Sequence, residues 1–188
     1  MEHCSIISSS LTAGRMHGLL SGPGIVHTEK RLKDLGGLFA DQDAFLKADP
    51  DTLVYRVQSL QPVEEGTEGG LFFGATVIET GLVGREYFMT RGHFHAKSDR
   101  GEFYWTIEGE GMLIFMDRQR RTWAEKMTPG SLHYIPAETA HRTANTGESR
   151  LTIGACWPSD AGHDYRSIAS GGFSARLLSI EGSPRLIS

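Results

Sequence analysis

The stretch "RGHFHAKSDRGEFYWTIEGEG", residues 91–111, sets two imidazoles, His93 and His95, two positions apart and a carboxylate, Glu102, seven positions beyond them. Side chains at i and i+2 of a strand leave one face about 7 Å apart along the backbone, so both imidazoles can converge on one ion. In "EFYWTIEG", Glu102, Tyr104 and Thr106 share one face, and Phe103, Trp105 and Ile107 the other. A facing strand can therefore present Glu102 to the same point. His141 in "YIPAETAHRTANTG" supplies a third imidazole just past a Pro-bearing turn. An HxH pair alone arises by chance on surface strands; the offsets of Glu102 and His141 are what turn it into a metal site. Three neutral imidazoles and a carboxylate suit Fe, Mn, Ni or Zn without choosing among them. His133 in "SLHYIP" has no partner at ligand spacing and is expected to be structural, and His3, His17 and His27 fall in an irregular N-terminal region and are given no function.

Around this stretch the chain reads as all-β. From residue 51 on, short runs rich in Val, Ile, Thr, Tyr and Phe are broken by Gly, Pro, Asp and Glu. Strands are expected at 52–60, 70–79, 86–91, 102–108, 111–117, 121–127, 131–135, 141–146, 150–156 and 173–180. Many short strands with turn residues between them imply an antiparallel sandwich or small barrel. Helical spacing is confined to residues 29–49, where Gly36 and Gly37 split it into two short helices. With 188 residues there is room for one good core, so one domain is expected: an N-terminal extension over 1–50 packed on a barrel formed by 51–188. A formal charge of -4 and the lack of a basic, aromatic-interleaved stripe argue against nucleic acid as a partner. No apolar run is long enough to span a membrane and the N-terminus lacks the features of a signal peptide, so the expected location is cytoplasmic. Cys4 and Cys156 are then expected to be free thiols.

These residues resemble the two cupin motifs. "HFH", Glu102 and Gly109 match the first, and Gly130, Pro136, His141 and Asn145 match the second. Glu138 stands where the second motif usually has glycine, and the gap from His95 to Glu102 is longer than in the general pattern. The longer gap, followed by "GSLHYIPAETAHRTANTGESRL" and "WPSDAGHDY", is similar to that of the cupin-type glucose-6-phosphate isomerases, over about residues 50–168. That resemblance implies a double-stranded β-helix, or jelly roll, usually as a homodimer. It also implies the ligand set His93, His95, Glu102 and His141 around a divalent ion, Fe2+ most often, with Mn2+, Ni2+ or Zn2+ able to substitute.

Aldose–ketose isomerisation needs a base near C1 and C2 and an electrophile near both oxygens. Glu102 is the candidate proton shuttle through a cis-enediol; in a metal-assisted hydride shift it would only position metal and substrate. A carboxylate tightly bound to a metal is a poor base, a tension that monodentate binding with one oxygen left over would relieve. Tyr104 shares the face of Glu102 and can donate a hydrogen bond. By resemblance His163 in "AGHDY" assists ring opening or proton transfer between oxygens, and Thr76, Thr90 and Gly92 hold the phosphate. In an unbroken strand Thr90 would face away from His93, so a break near Gly92 is required. Arg91 is an alternative phosphate partner. Trp157 replaces a tyrosine usual in the family, which exchanges a phenol for an indole donor, and Arg166 replaces a glycine and is read as capping a turn. Two other readings share the metal set. An iron-dependent cupin dioxygenase leaves "GHDY" and the phosphate residues unexplained, and a non-catalytic sugar-binding cupin leaves the full ligand set unexplained.

Overall fold

The computed structural model describes residues 12–13, 19–169 and 171–188. Its first strands are β1 (Thr12–Ala13), β2 (Leu20–Ser21), β3 (Ile25–Arg31), β4 (Leu53–Leu60), β5 (Leu71–Ile78), β6 (Leu82–Val83), β7 (Glu86–Tyr87) and β8 (Glu102–Glu108). They are followed by β9 (Gly111–Asp117), β10 (Thr122–Met127), β11 (Leu132–Ile135), β12 (Thr139–Asn145), β13 (Leu151–Pro158), β14 (Arg176–Ile180) and β15 (Ser183–Ile187). The two helical pieces expected near the N-terminus are a 3-10 turn, Leu32–Leu35, and α1, Gln42–Lys47, separated by the two glycines. Asp41 caps α1, its carboxylate accepting the Ala44 N–H at 2.9 Å. A further short helix, α2, spans Arg166–Ala169.

The larger sheet runs β11–β8–β13–β5–β4–β3, and a smaller one runs β10–β9–β12. Bridges Met89↔Ala144 and His93↔His141 lay residues 89–93 along the free edge of β12. The chain crosses between these sheets at β8→β9, β10→β11, β11→β12 and β12→β13. Two facing antiparallel sheets joined by such crossings make a jelly roll, which is the fold expected from the sequence. In the small sheet β12 and β9 are buried on both sides, with all seven residues of β12 and four consecutive residues of β9, Leu113–Met116, buried, while β10 is largely exposed. One face packs into the sandwich. The other lies under chain from both ends of the sequence, since Leu32, Leu35, Phe39, Ile168, Phe173 and Leu177 join the same apolar core.

Several elements differ from the sequence reading, the short β1, β2, β6 and α2 among them, and three differences are larger. β3 forms where helical or irregular chain was expected and extends the large sheet through β4, pairing Ile25 with Leu60 and Glu29 with Arg56. As an edge strand it exposes most of its side chains, so the apolar alternation that marks a half-buried strand is missing. The strand expected at 86–91 stops at Tyr87, the chain beyond it pairs only through isolated bridges at Met89, His93 and Phe94, and Gly92 between them takes φ +78. β15, not anticipated, pairs along β14 as a C-terminal hairpin. His27 lies in β3, whereas His3, His17 and Cys4 are outside the described residues. Among the described residues no helix is long and apolar enough to cross a membrane.

The crossing from β8 to β9 depends on Gly109, which has φ +82 and whose missing Cβ would lie 2.2 Å from the Arg150 carbonyl oxygen. Gly109→Ala is expected to lower stability by about 1–3 kcal/mol through backbone strain and this contact, read as a lower midpoint in urea unfolding with an unchanged slope.

Candidate active site

The jelly roll brings the four expected donors together. One ligand atom each from His93, His95, Glu102 and His141 lies within 4.8 Å of all the others. His93 and His95 come from the interrupted segment beside β12, Glu102 opens β8 in the opposite sheet, and His141 lies on β12. Glu102 is 5% exposed and its Oε1 faces two imidazoles, with His95 Nε2 at 3.1 Å and His141 Nε2 at 2.7 Å. The His141 nitrogen lies off the hydrogen-bonding direction, so this buried atom has no hydrogen-bond partner among the described residues. A divalent ion with ligands at about 2.0–2.2 Å spans opposite donors by roughly 4.2 Å, so the four atoms would close on it with shifts of tenths of an ångström. The orphaned Nε2 and the mixed nitrogen and oxygen set fit such an ion.

The electrostatics of Glu102 and His93 favour ligation, whereas at His95 burial is outweighed by Glu102 and the Arg100 carbonyl, which raise its pKa. Burial pushes the Glu102 carboxyl upward, but the nearby His141 and His95 imidazoles, the latter hydrogen-bonded to it, outweigh that and hold the group well below the usual carboxylate range. Burial, with the neighbouring His141, His163 and His95, holds His93 neutral at pH 7. His95 is oriented by its other nitrogen, whose Nδ1 lies 2.8 Å from the Arg100 carbonyl oxygen. An Nδ1–H donated there leaves Nε2 unprotonated for a metal. The long gap between His95 and Glu102 thereby acquires a purpose, because it contains that carbonyl. The loop is pinned by Asp160, whose carboxylate accepts both Arg100 Nε and Nη2 at 2.9 Å and Lys97 Nζ at 2.7 Å.

A cavity of about 280 Å³ opens on the cluster. It is lined by every remaining site residue expected from the sequence: Thr76, Thr90, Gly92, Tyr104, Trp157 and His163. Gly92 resolves the parity of Thr90, since its left-handed backbone supplies the break that lets Thr90 and His93 face the same space. The Thr90 hydroxyl oxygen accepts the Thr143 N–H at 3.0 Å, which leaves the O–H free to donate into the cavity. Tyr104 meets the His141 ring edge to face at 5.7 Å. His163 lies 4.4 Å from the His93 ring and stacks on Tyr165 at 5.8 Å, and burial lowers its pKa, so it is neutral at pH 7. The Trp157 ring sits over Gly74, where a Cβ would meet it at 2.9 Å.

Several residues reach the cavity that sequence reasoning did not select: Thr28 and Lys30 of β3, Tyr55 of β4, and Tyr165. Thr28 and Lys30 carry the period-two signal of one strand face, hidden because β3 was not recognised. Arg91, weighed as a phosphate partner, does line the cavity, and its Nη2 donates to the Asp34 carbonyl at 3.1 Å. Arg166 does not. Its N–H is bound by Asp164 Oδ1 at the start of α2, as expected for a turn residue. Glu138, where the motif usually has glycine, takes φ +59, with its N–H donated to the Ser98 carbonyl at 2.8 Å and its carboxylate paired with Arg118 at 2.8 Å. His133 is buried between Glu125 (2.6 Å) and Ser131 (2.8 Å), a structural network away from the cavity.

With the geometry established, comparison with known proteins gives a consistent result. A family model described as glucose-6-phosphate isomerase matches residues 29–185. A glucose-6-phosphate isomerase of Thermococcus kodakarensis is 41% identical over 168 residues, covering 88% of this chain and 87% of that protein. That of Pyrococcus furiosus is 38% identical over 87% of each chain. A putative glucose-6-phosphate isomerase of Rhizobium meliloti is 38% identical over 80% of this chain and 71% of its own. Matches of this extent, reaching from β3 to β15 and enclosing the whole donor cluster, leave one assignment: the chain belongs to the glucose-6-phosphate isomerase family.

Proposed function

We propose that the chain is a metal-dependent isomerase that interconverts glucose 6-phosphate and fructose 6-phosphate in glycolysis and gluconeogenesis, with Fe2+ as the first candidate ion. The observation that carries this reading is the meeting, in one cavity, of a four-donor cluster with hydroxyl, amide and cationic groups suited to a phosphate. Thr76, Thr90 and the Gly92 amide, with Lys30 and Arg91 nearby, would hold the phosphate at one end. His93, His95, Glu102 and His141 would hold the ion at the other, and the sugar carbons would lie between them. A bound divalent ion supplies positive charge where negative charge develops on the sugar oxygens.

Proton transfer falls to this chain's own residues. Both imidazole contacts of Glu102 use Oε1, and no hydrogen bond to Oε2 is found among the described residues. Monodentate use of the carboxylate leaves Oε2 to take the proton from C2 of the open-chain aldose and return it to C1. The cis-enediol route is therefore preferred to the hydride shift. Neutral His163 is suited to accept the O2 proton and deliver one to O1. Tyr104, half-buried beside His141 and held protonated by desolvation and by Glu102, would donate a hydrogen bond to a sugar oxygen. In the family the chain is assigned to, Trp157 would replace a phenol contact with an indole one.

The primary test is a coupled assay for fructose 6-phosphate conversion by protein loaded in turn with Fe2+, Mn2+, Ni2+ and Zn2+. Activity should vanish on chelation and return with metal; no turnover with any ion would refute the reading. His141→Ala should lose both metal, by elemental analysis, and activity, whereas His163→Ala should keep its metal and lose about 10²–10⁴-fold in kcat, the range of a general acid–base contribution. Glu102→Gln with metal restored should likewise lose turnover and the exchange of substrate hydrogen with deuterated water. Turnover without any such exchange in the native protein would instead establish the hydride shift.

A further inference from the structure

A second cavity, of about 470 Å³, lies behind the first, between the outer face of β12 and the chain covering it. Arg91, Arg142 and Arg176 all line it, together with Phe173 and the Gly36–Gly37 turn. Arg142 is the unusual member. Neighbouring strand positions alternate in direction, so while His141 faces the metal cluster, Arg142 faces the other way, and it is only 3% exposed. Its guanidinium stacks on Phe173 at 4.3 Å, its Nε is buried with no hydrogen-bond partner, and no ion pair to it is found among the described residues. Glu86 is the one carboxylate acting on it there, and that carboxylate is taken by Arg176 Nη1 at 2.7 Å and the Ala40 N–H at 2.5 Å. Burial lowers the Arg142 pKa to about 10, so the group is charged at neutral pH.

A buried cation without an acceptor costs several kcal/mol, and chains retain one where something outside the chain answers it. A guanidinium fork matches a phosphate or carboxylate through paired N–H donors, and three arginines against one engaged carboxylate leave the space cationic. The volume falls within the roughly 300–1,000 Å³ of small-molecule sites. We infer that this cavity is a second anion-binding site, distinct from the substrate phosphate position, which takes a phosphate dianion, free or as the ester of a small metabolite, on Arg142, Arg176 and Arg91.

The site is wired to the first cavity, since Arg91 and Tyr165 line both. An anion that draws Arg91 backward would change the KM for the sugar phosphate; this consequence rests on the isomerase reading, whereas binding itself does not.

The test measures binding without turnover. Metal-loaded protein is dialysed to equilibrium against radiolabelled orthophosphate as the native chain, as Arg142→Met and as Gly36→Glu. Met keeps the stem against Phe173 and removes the charge. Gly36 has φ -51 and open space where a Cβ would stand, so Gly36→Glu introduces a carboxylate at the rim without removing an arginine. The native chain should bind one phosphate per chain more than either variant, and phosphate should raise its Tm more than theirs. Displacement of the Arg142-dependent phosphate by a small phosphate ester at lower concentration would identify an ester site, and preference for orthophosphate a site for the free ion. Equal phosphate binding by all three proteins would overturn the inference. Should Arg142→Met fail to fold, Gly36→Glu decides alone, and its binding the native number would equally overturn it.

Discussion

A carboxylate taken out of water is the constraint on which the rest of this molecule turns. Glu102 is 5% exposed in the interior of a β-sandwich, and an ionised group there costs several kcal/mol unless partners are brought to it. Its partners cannot come from its own strand, whose neighbours on the same face are Tyr104 and Thr106. They come from the opposite sheet, as His141 on β12, and from the segment bridged to β12, as His93 and His95. The two sheets must therefore approach at this end and hold their register. The Asp160 clamp on Arg100 and Lys97 does the same for the loop between His95 and Glu102, fixing the carbonyl that sets the His95 ring. Cluster and sandwich thus stabilise one another.

What the sequence made legible was whatever depends on spacing within one strand or one turn. The pairing of His93 with His95, the common face of Glu102 and Tyr104, and the glycine-dependent break that carries Thr90 into the cavity all follow from period two. The offset to His141 is long range, and it was readable only because the second motif has its own internal signature of Gly130, Pro136 and Asn145. β3 was hidden for a physical reason: an exposed edge strand can be polar along its length, so "IVHTEKR" offers no apolar alternation, and Thr28 and Lys30 disappeared with it. Arg142 was hidden differently. Parity alone points it away from His141, and an outward arginine reads as solvated. It is covered by Phe173, on which the guanidinium stacks, and shares its cavity with Ile168 and the Gly36–Gly37 turn, from opposite ends of the chain, and no local pattern reports that cover.

Departures from the family pattern also have local explanations. Glu138 occupies a backbone conformation that favours glycine, and the chain offsets the strain with the Ser98 hydrogen bond and the Arg118 ion pair. These contacts tie the turn before β12 to the metal loop and to β9. Trp157 is accommodated because Gly74, on the neighbouring strand, presents no side chain where the indole lies. A larger ring in the cavity is thus matched by an absent one across the sheet, and a volume change of this kind can be absorbed without moving the backbone.

The same alternation that builds the His/Glu cluster places the two cavities back to back. β12 turns His141 inward and Arg142 outward, and Gly92, bridged to it at the next residue, stands between them. The usual argument for glycine here is the close approach of an anion to its amide. A second argument is packing. A Cβ on Gly92 would lie 2.9 Å from Arg142 Cβ, 3.0 Å from the Phe173 ring and 3.1 Å from the His141 carbonyl oxygen. It would press on the residue carrying the third imidazole and, at once, on the arginine and aromatic ring of the outer cavity. The wall between the His/Glu cluster's cavity and the arginine-lined one is only this backbone thick, which is why Arg91, the residue before the glycine, can reach both.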